Sequence, residues 1–362
     1  MEDNEKRFEQ DIETWLTSET GGWEKEVFQN SKYDASRGLD LNALIAFIQE
    51  TQPKQWKRYE KIIRKDPEGS FYKRFEQEVS QHGILHVLRK GVQDRGVKFK
   101  VIQFKPSSSL NDEVQAAYDA NKTTVTRQFA YSPHNHNTID MVLSVNGIPL
   151  VAIELKNQFK GQSVENAKKQ FMFDRDPKEA MLKFNHRVLV FFAVDLYEAW
   201  MTTKLASGKT FFLPFNQGSN GAGNVGGAGN PENPNGYQTA YLWEKVLQKD
   251  TLMDILQRFI NLEVKYEKDE NGKQVEKQTM IFPRYHQLDV VRKLVADTTA
   301  KGSGQHYLIQ HSAGSGKSNS IAWLAYHLQK VHDGANNPIF NSVIIVTDRT
   351  VLDRQLQNTI IS

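Results

Sequence analysis

The chain has no cysteine among its 362 residues. Disulfide scaffolds, thiolate-held zinc and thiol catalysis are thereby excluded. No stretch approaches the roughly 20 apolar residues of a membrane span, and the opening MEDNEKRFEQ lacks the apolar core of a secretion signal. A cytoplasmic location without a membrane partner is expected. Excess charge of one sign is scarce too: the net charge of +3 is too small to identify a partner by itself. What is present is ordinary for a folded protein, 39% hydrophobic and 25% charged, so general disorder is excluded. The length is about two domains' worth of chain. The charge is unevenly placed. The first 30 residues carry nine acids and three bases, whereas 54–105 carries fourteen Lys/Arg against six Asp/Glu. A local basic field of that kind suits a polyanion, and a solvated helix face is the bland alternative.

Periodicity divides the chain. Phe8, Ile12, Trp15 and Leu16 form one apolar helical face, ended by Gly21-Gly22. Helices are expected over 41–50, 56–64 (after an interruption at Pro53) and 71–90. From Val97 the period becomes that of strands, over 97–104 and 124–131. Thr138–Val145 and Ile148–Leu155 flank Asn146-Gly147, a strong hairpin signal. A helix over 164–173 and a buried strand over 187–194 complete an α/β domain, residues 1–215. Residues 216–236 hold seven Gly, six Asn and two Pro, a composition that builds no core and reads as a loop or linker. Residues 237–281 read as a connecting helix (241–260) and a charged insertion with a turn at Asn271-Gly272. From Phe282 to the end, helix, strand, glycine loop, helix and strand mark the start of a parallel-sheet α/β domain.

The glycine loop is His311-Ser-Ala-Gly-Ser-Gly-Lys317-Ser318, between an apolar strand over 306–310 and a helix over 319–329. Strand, glycine turn, GK[ST] and helix form the context in which a P-loop is accepted. Gly314, Ser315 and Gly316 let successive N–H groups converge on phosphate at a helix N-terminus, Lys317 offers a cation, and the Ser318 hydroxyl suits Mg²⁺. The strict pattern has Gly where this chain has His311, a departure that argues for a motor and against a small kinase. Phe282-Pro-Arg-Tyr-His-Gln287 lies upstream, and Gln287 could pair with an adenine edge. Downstream, a strand over 342–346 ends in Thr347-Asp-Arg-Thr350, whose hydroxyls and cation suit phosphate contact.

The second constellation is Asp140 … Glu154-Leu155-Lys156. Two carboxylates and a lysine are the parts that hydrolyse a phosphodiester with Mg²⁺: the acids hold the ion and the lysine stabilises the attacking hydroxide. Glu154 and Lys156 share a strand face. Register is the sharper test. A two-residue turn pairing 145 with 148 sets Asp140 opposite Ile153, so convergence of the acids requires an odd loop or a β-bulge. The odd register is expected, because Leu150-Val-Ala-Ile153 is too apolar to end in two idle charges. Glu263-Val-Lys265 repeats the triplet without a hairpin. Gln170 stands on the following helix, and Arg175 beyond it offers a cation for phosphate contact. The first helix carries Glu9 and Glu13, one of which, Glu9 preferred, would be the third metal acid that the resemblance of Asp140 … Glu154-Leu-Lys156 to PD-(D/E)xK nucleases implies. His134 and His136 flank the hairpin in a loop.

Together these runs resemble known families. Asp140 … Glu154-Leu-Lys156 is similar to PD-(D/E)xK nucleases. Gln170 resembles the Gln of the RecB-like Gln-x-x-x-Tyr motif, although Asp174 stands in the tyrosine's place. Residues 282–287 resemble the adenine-reading Q motif of superfamily 2 helicases, and 347–350 their motif Ia. With Met201-Thr-Thr203 and Leu213-Pro-Phe-Asn-Gln217, the set resembles the restriction (R) subunit of type I restriction–modification enzymes over nearly the whole chain. That resemblance implies a RecB-like nuclease domain followed by the first part of a RecA-like ATPase. It also implies Mg²⁺ and ATP as cofactors and double-stranded DNA as substrate. A methylation subunit and a specificity subunit would be partners, the latter reading the target while this chain grips backbone. No Walker B acid or second ATPase lobe follows the P-loop, so nucleotide binding without efficient turnover is expected. A motor with an inert nuclease-like domain and a non-enzymatic assembly module are the rival readings.

Overall fold

The computed structural model describes residues 3–106, 111–157, 161–268, 272–312 and 314–346. Its organising element is the hairpin at Asn146-Gly147. Both residues take positive φ (50° and 76°), the mirror-image turn whose twist matches that of paired strands. Asn146 is also buried, and its amide donates to the Val101 carbonyl and to Asn121 Oδ1. The turn is therefore pinned from outside as well as by its own geometry.

The hairpin strands are Thr138–Val145 and Ile148–Leu155, here β5 and β6. They sit inside a seven-stranded mixed sheet of order β1-β4-β5-β6-β7-β8-β9, with β1 Glu24–Glu26, β4 Thr123–Ala130, β7 Val190–Val194, β8 Ala199–Thr202 and β9 Leu213–Pro214. β6 pairs antiparallel with β5 and parallel with β7, so it is central and buried throughout. A strand covered on both faces reads as a continuous apolar run, which is why Leu150-Val-Ala-Ile153 does not alternate.

Register changes once along the hairpin. Val145 pairs with Ile148 and Ser144 with Pro149, but Leu143 pairs with Val151, leaving Leu150 as the extra residue of a bulge. Ile148, Leu150, Val151, Ile153 and Leu155 all join the larger of two core clusters, so facing parity switches between Leu150 and Val151. Ala152 joins the smaller cluster on the opposite face, beneath Val164, Ala167 and Phe171. The bulge thus keeps the aliphatic set on one face while turning Ala152, Glu154 and Lys156 to the other.

Around the sheet lie α1 (Asp3–Leu16), α2 (Leu41–Thr51), α3 (Pro53–Ile63), α4 (Pro67–His82) and α5 (Ile84–Lys90). Pro53 opens α3 rather than interrupting it, at a position where its missing N–H costs nothing. The single helix expected over 71–90 is two, parted at Gly83 (φ 81°), where an added Cβ would fall 1.9 Å from the Asn185 amide. The expected strand over 97–104 shrinks to β3 (Val97–Phe99), paired with β2 (Val92–Asp94). Lys54, Lys57, Arg58, Lys61, Arg64 and Lys65 are exposed while Trp56 and Tyr59 are buried, the pattern of a solvated helix face. A short helix, α6 (Asp112–Asp119), and strands β1, β8 and β9 are too short to have been legible.

Residues 216–236 form no helix or strand, as their composition predicts. The helix expected over 241–260 is broken into a π-helical turn, α8 (Lys249–Asp254) and a second π-helical turn, Ile255–Phe259. The charged insertion is a hairpin, β10 (Asn261–Lys268) with β11 (Gln274–Ile281); Asn271 of its expected turn lies outside the described residues. α9 (Tyr285–Lys301) and α10 (Lys317–Leu328) follow, and Trp323 packs on Phe259 with ring centroids 5.6 Å apart.

One expectation fails here. The strands over 306–310 and 342–346 do not form, and Leu308, Ile344 and Val346 are almost fully exposed (92%, 84% and 88%). A parallel strand needs partners along both edges and covered faces, and no described residue offers them. The expected second sheet is absent among the described residues, and 347–350 lie outside them. No described helix is long and apolar enough to cross a membrane.

Candidate active site

Continuing the register one step past Met141–Ile153 sets Asp140 opposite Glu154. The bulge accomplishes what a uniform two-residue hairpin would prevent. Asp140 Oδ2 accepts from the Leu155 N–H at 2.7 Å and stands 3.6 Å from Lys156 Nζ. Lys156 Nζ also donates to the Leu155 carbonyl at 3.0 Å. Asp140, Glu154 and Lys156 are all buried, so their mutual fields act in a poorly screened environment.

Glu154 has no exposed surface (0%). Its Oε1 accepts from Arg175 Nη2 at 2.7 Å and Nε at 2.9 Å, while its Oε2 is buried without a hydrogen-bond partner. Burial, reinforced by the nearby Asp140 carboxylate, holds the Glu154 carboxyl well above the usual range despite the guanidinium. Arg175 is itself anchored, donating to the Thr138 carbonyl at 2.7 Å and lying 5.6 Å from the Tyr131 ring centroid. The expectation that Arg175 contacts phosphate is corrected. Its charge is committed to Glu154 inside the protein.

Glu9, on α1, is buried beside this pair. Its Oε2 accepts from Arg127 at 3.0 Å and its Oε1 from Gln128 Nε2 at 2.9 Å. Burial first, then the Asp140 charge, raises its carboxyl above the ordinary value. Glu13 pairs with Lys25 at 2.7 Å and with the far side of the same Arg127 at 3.6 Å. Both Glu9 oxygens are engaged, so its ligation of a metal requires exchanging one of these bonds. Gln128 is the residue that sequence reasoning missed. It lies where the β4–β5 ladder skips between Arg127–Met141 and Phe129–Ile139, at φ 50°, a conformation that strains a residue bearing Cβ. From there its amide reaches Glu9 and, at 3.4 Å, Asp140 Oδ1. Nothing in sequence spacing signals a positive φ at a glutamine.

Gln170 opens a π-helical turn, Gln170–Asp174, that follows α7 (Val164–Lys169); a single helix over 164–173 was the expectation. π turns widen a helix locally and recur at functional sites. This one sets Gln170, Phe173 and Asp174 along a groove shared with Lys156 and Lys169. Gln170 Oε1 is buried with no partner among the described residues. His134 and His136 are exposed in the β4–β5 loop. Glu263-Val-Lys265 lies on β10, where Lys265 pairs with Glu263 at 2.9 Å and faces Lys277, itself paired with Glu267, on an exposed part of the hairpin.

At the glycine loop, Gly314 and Gly316 have positive φ (73° and 81°), and α10 begins at Lys317. Lys317 Nζ is exposed and folds back onto the His311 and Ser312 carbonyls at 3.1 and 2.9 Å. Ser315 Oγ is buried without a partner, and Ser318 is half-buried at the start of α10. Gln287 does not face outward as an adenine reader would. Its Oε1 accepts from the Arg284 N–H at 2.9 Å, and its Nε2 donates to the Ser315 and Gly316 carbonyls at 3.1 and 3.0 Å. It ties α9 to the loop, and an added Cβ at Gly316 would meet that amide at 2.3 Å.

The donor chemistry at β5–β6 fits a hard divalent cation. All donors are oxygens, one carboxylate oxygen is buried and orphaned, and two acids repel each other in the absence of a shared cation. Among the described residues no group of three or more His, Cys, Asp or Glu is gathered tightly enough to hold a metal. An ion here would rest on Asp140 and Glu154 and share Glu154 with Arg175.

The sequence matches the family described as Type I restriction enzyme R protein N terminus over residues 9–210, and SWI2/SNF2 ATPase over residues 286–362. It is 28% identical over 242 residues to the MjaVIIIP type I restriction enzyme endonuclease subunit assigned in Methanocaldococcus jannaschii, covering 63% of this chain and 20% of that protein. It is 25% identical over 232 residues to the type I restriction enzyme HindI endonuclease subunit of Haemophilus influenzae, covering 61% and 19% respectively. The chain's match thus spans about a fifth of these relatives' length. With more than half its residues matched and the hairpin inside the match, the chain belongs to the type I restriction enzyme R protein N-terminal family.

Proposed function

We propose that this chain is the N-terminal part of the ATP-dependent, DNA-translocating endonuclease subunit of a type I restriction–modification system. It hydrolyses DNA phosphodiesters with Mg²⁺ at Asp140, Glu154 and Lys156. One observation carries the reading: the bulge at Leu150 turns Glu154 and Lys156 to the face on which Asp140 stands, with Lys156 Nζ 3.6 Å from Asp140.

Asp140 and Glu154 would hold Mg²⁺, which when bound supplies charge neutralisation at the scissile phosphate and a more acidic water. The remaining roles belong to the chain. Lys156 presents its ammonium where negative charge develops in the transition state. Gln170 offers an unpartnered amide oxygen beside it, to orient the attacking water. Arg175 and Gln128 position the two carboxylates, and Glu9 either holds Gln128 or joins the ion. In this reading the nuclease domain is of the PD-(D/E)xK, RecB-like type over 1–215, joined through 216–236 and 237–281 to the first part of a RecA-like ATPase over 282–362. There Gly314, Ser315, Gly316, Lys317 and Ser318 would bind ATP with Mg²⁺, Lys317 releasing its own loop carbonyls for phosphate and Gln287 transmitting the change to α9. Double-stranded DNA is the substrate, held by its backbone, and the methylation and specificity subunits are partners.

The test is restriction by the assembled enzyme. Asp140→Ala and Lys156→Ala abolish cutting and spare ATP hydrolysis, whereas Lys317→Ala abolishes both, because cutting awaits translocation. Mg²⁺-dependent cleavage unchanged in Asp140→Ala would leave a motor with an inert nuclease fold. Absence of duplex binding even at low salt, where phosphate contacts are strongest, would favour an assembly module.

A further inference from the structure

The groove that holds Lys156 and Gln170 has an aromatic rim. Phe173 is 69% exposed at the end of the π turn, although its neighbour Phe171 is wholly buried in the smaller core cluster. A single exposed phenylalanine is ordinary. This one lines the same groove as Lys156, Lys169 and Gln170, on a turn whose widened geometry separates it from Phe171. Its ring is also seated against Gly208: a Cβ there would stand 3.3 Å from Phe173 Cε1, tighter than an ordinary contact. A seated but uncovered aromatic, flanked by cations and beside a phosphodiester site, has the make-up of a base-stacking platform.

We propose that Phe173 stacks on an unpaired base of the strand whose phosphate lies at Lys156, and so positions that strand for cutting. This rests on the nuclease reading of the groove. A base face is available to the ring only where the duplex has opened, so the site takes a locally single-stranded substrate. The aromatic contact sits one residue before Asp174, which holds the place of the tyrosine in related motifs.

The experiment titrates the full chain, at low salt and without added divalent ion, into a short oligonucleotide carrying 2-aminopurine, single-stranded or in duplex. The unaltered chain quenches the single-stranded probe more than the duplex. Phe173→Ala weakens binding of the single strand between about 5-fold and 100-fold and loses the quenching, and Phe173→Tyr restores both. If Phe173→Ala binds and quenches as the unaltered chain does, the platform is overturned while the groove survives as a DNA site. Quenching equal in duplex and single strand removes the requirement for an opened base. Failure of the unaltered chain to bind either probe overturns the nuclease reading and this inference with it.

Discussion

The β5–β6 hairpin and the glycine loop carry motifs of similar clarity, yet the fold treats them differently. The hairpin lies at the centre of a seven-stranded sheet, covered on both faces, and its three charged residues are fixed by named partners. The glycine loop has its helix and its positive-φ glycines, but the flanking segments that should be parallel strands form none and are largely exposed. A motif is a local statement, whereas a site is a global one. Charges become preorganised when surrounding strands supply hydrogen bonds and exclude water, and that has happened in the first region only.

Four changes sharpen or break this contrast. The largest effect is expected from Arg175→Ala. It strands the buried Glu154 carboxylate and should cost roughly 3–5 kcal/mol in urea unfolding at pH values above the raised Glu154 pKa, where that carboxyl is ionised. Because Glu154 titrates high, the cost should shrink as pH falls through its raised pKa and the carboxyl becomes neutral. Retention of full stability at neutral pH would mean that Glu154 is not ionised there.

Asp140→Asn comes next. In the unaltered chain Glu154 and Glu9 both titrate above their ordinary values. Their protonated forms favour folding, and this contribution is complete below the unfolded carboxylate pKa and lost as pH rises through the folded one. Removing the Asp140 charge should lower both folded pKa values and flatten that decline, changing stability at neutral pH by about 1 kcal/mol per pKa unit recovered. A decline of unchanged slope would assign the shifts to burial alone. Gln287→Ala should loosen the glycine loop from α9, at about 1 kcal/mol per lost hydrogen bond. Faster amide exchange confined to 284–288 and the start of α10 would show it. Lys317→Ala should change stability by less than about 0.5 kcal/mol, since the side chain is exposed. A larger loss would mean that the loop is preorganised after all.

Much of the first region was legible. Both hairpin strands have the bounds expected of them on either side of the Asn-Gly turn. The need for an odd register followed from counting residues between Asp140 and Glu154. That the oddity would be a bulge at Leu150 was not legible, because a run of four aliphatic residues gives no parity; packing of Leu150 and Val151 on one face decides it. Arg175 was misread because a charged residue near a phosphodiester site suggests phosphate, whereas a buried glutamate on a central strand required a counter-ion first. Gln128 was invisible, since its role depends on a strained φ. In the second region GK[ST] and its helix were read directly, but strands 306–310 and 342–346 were inferred from apolar content. Apolar content yields a strand only where neighbouring strands exist to pair with it.

The most direct measurement is a calorimetric Mg²⁺ titration of the full chain in two buffers of different ionisation enthalpy, across a range of pH. Binding of one ion to Asp140 and Glu154 should tighten as pH rises, release protons as the high-titrating Glu154 carboxyl ionises, and vanish in Asp140→Ala, with Lys317→Ala unaffected in the absence of nucleotide. Mg²⁺ uptake by Asp140→Ala indistinguishable from that of the unaltered chain would contradict the account.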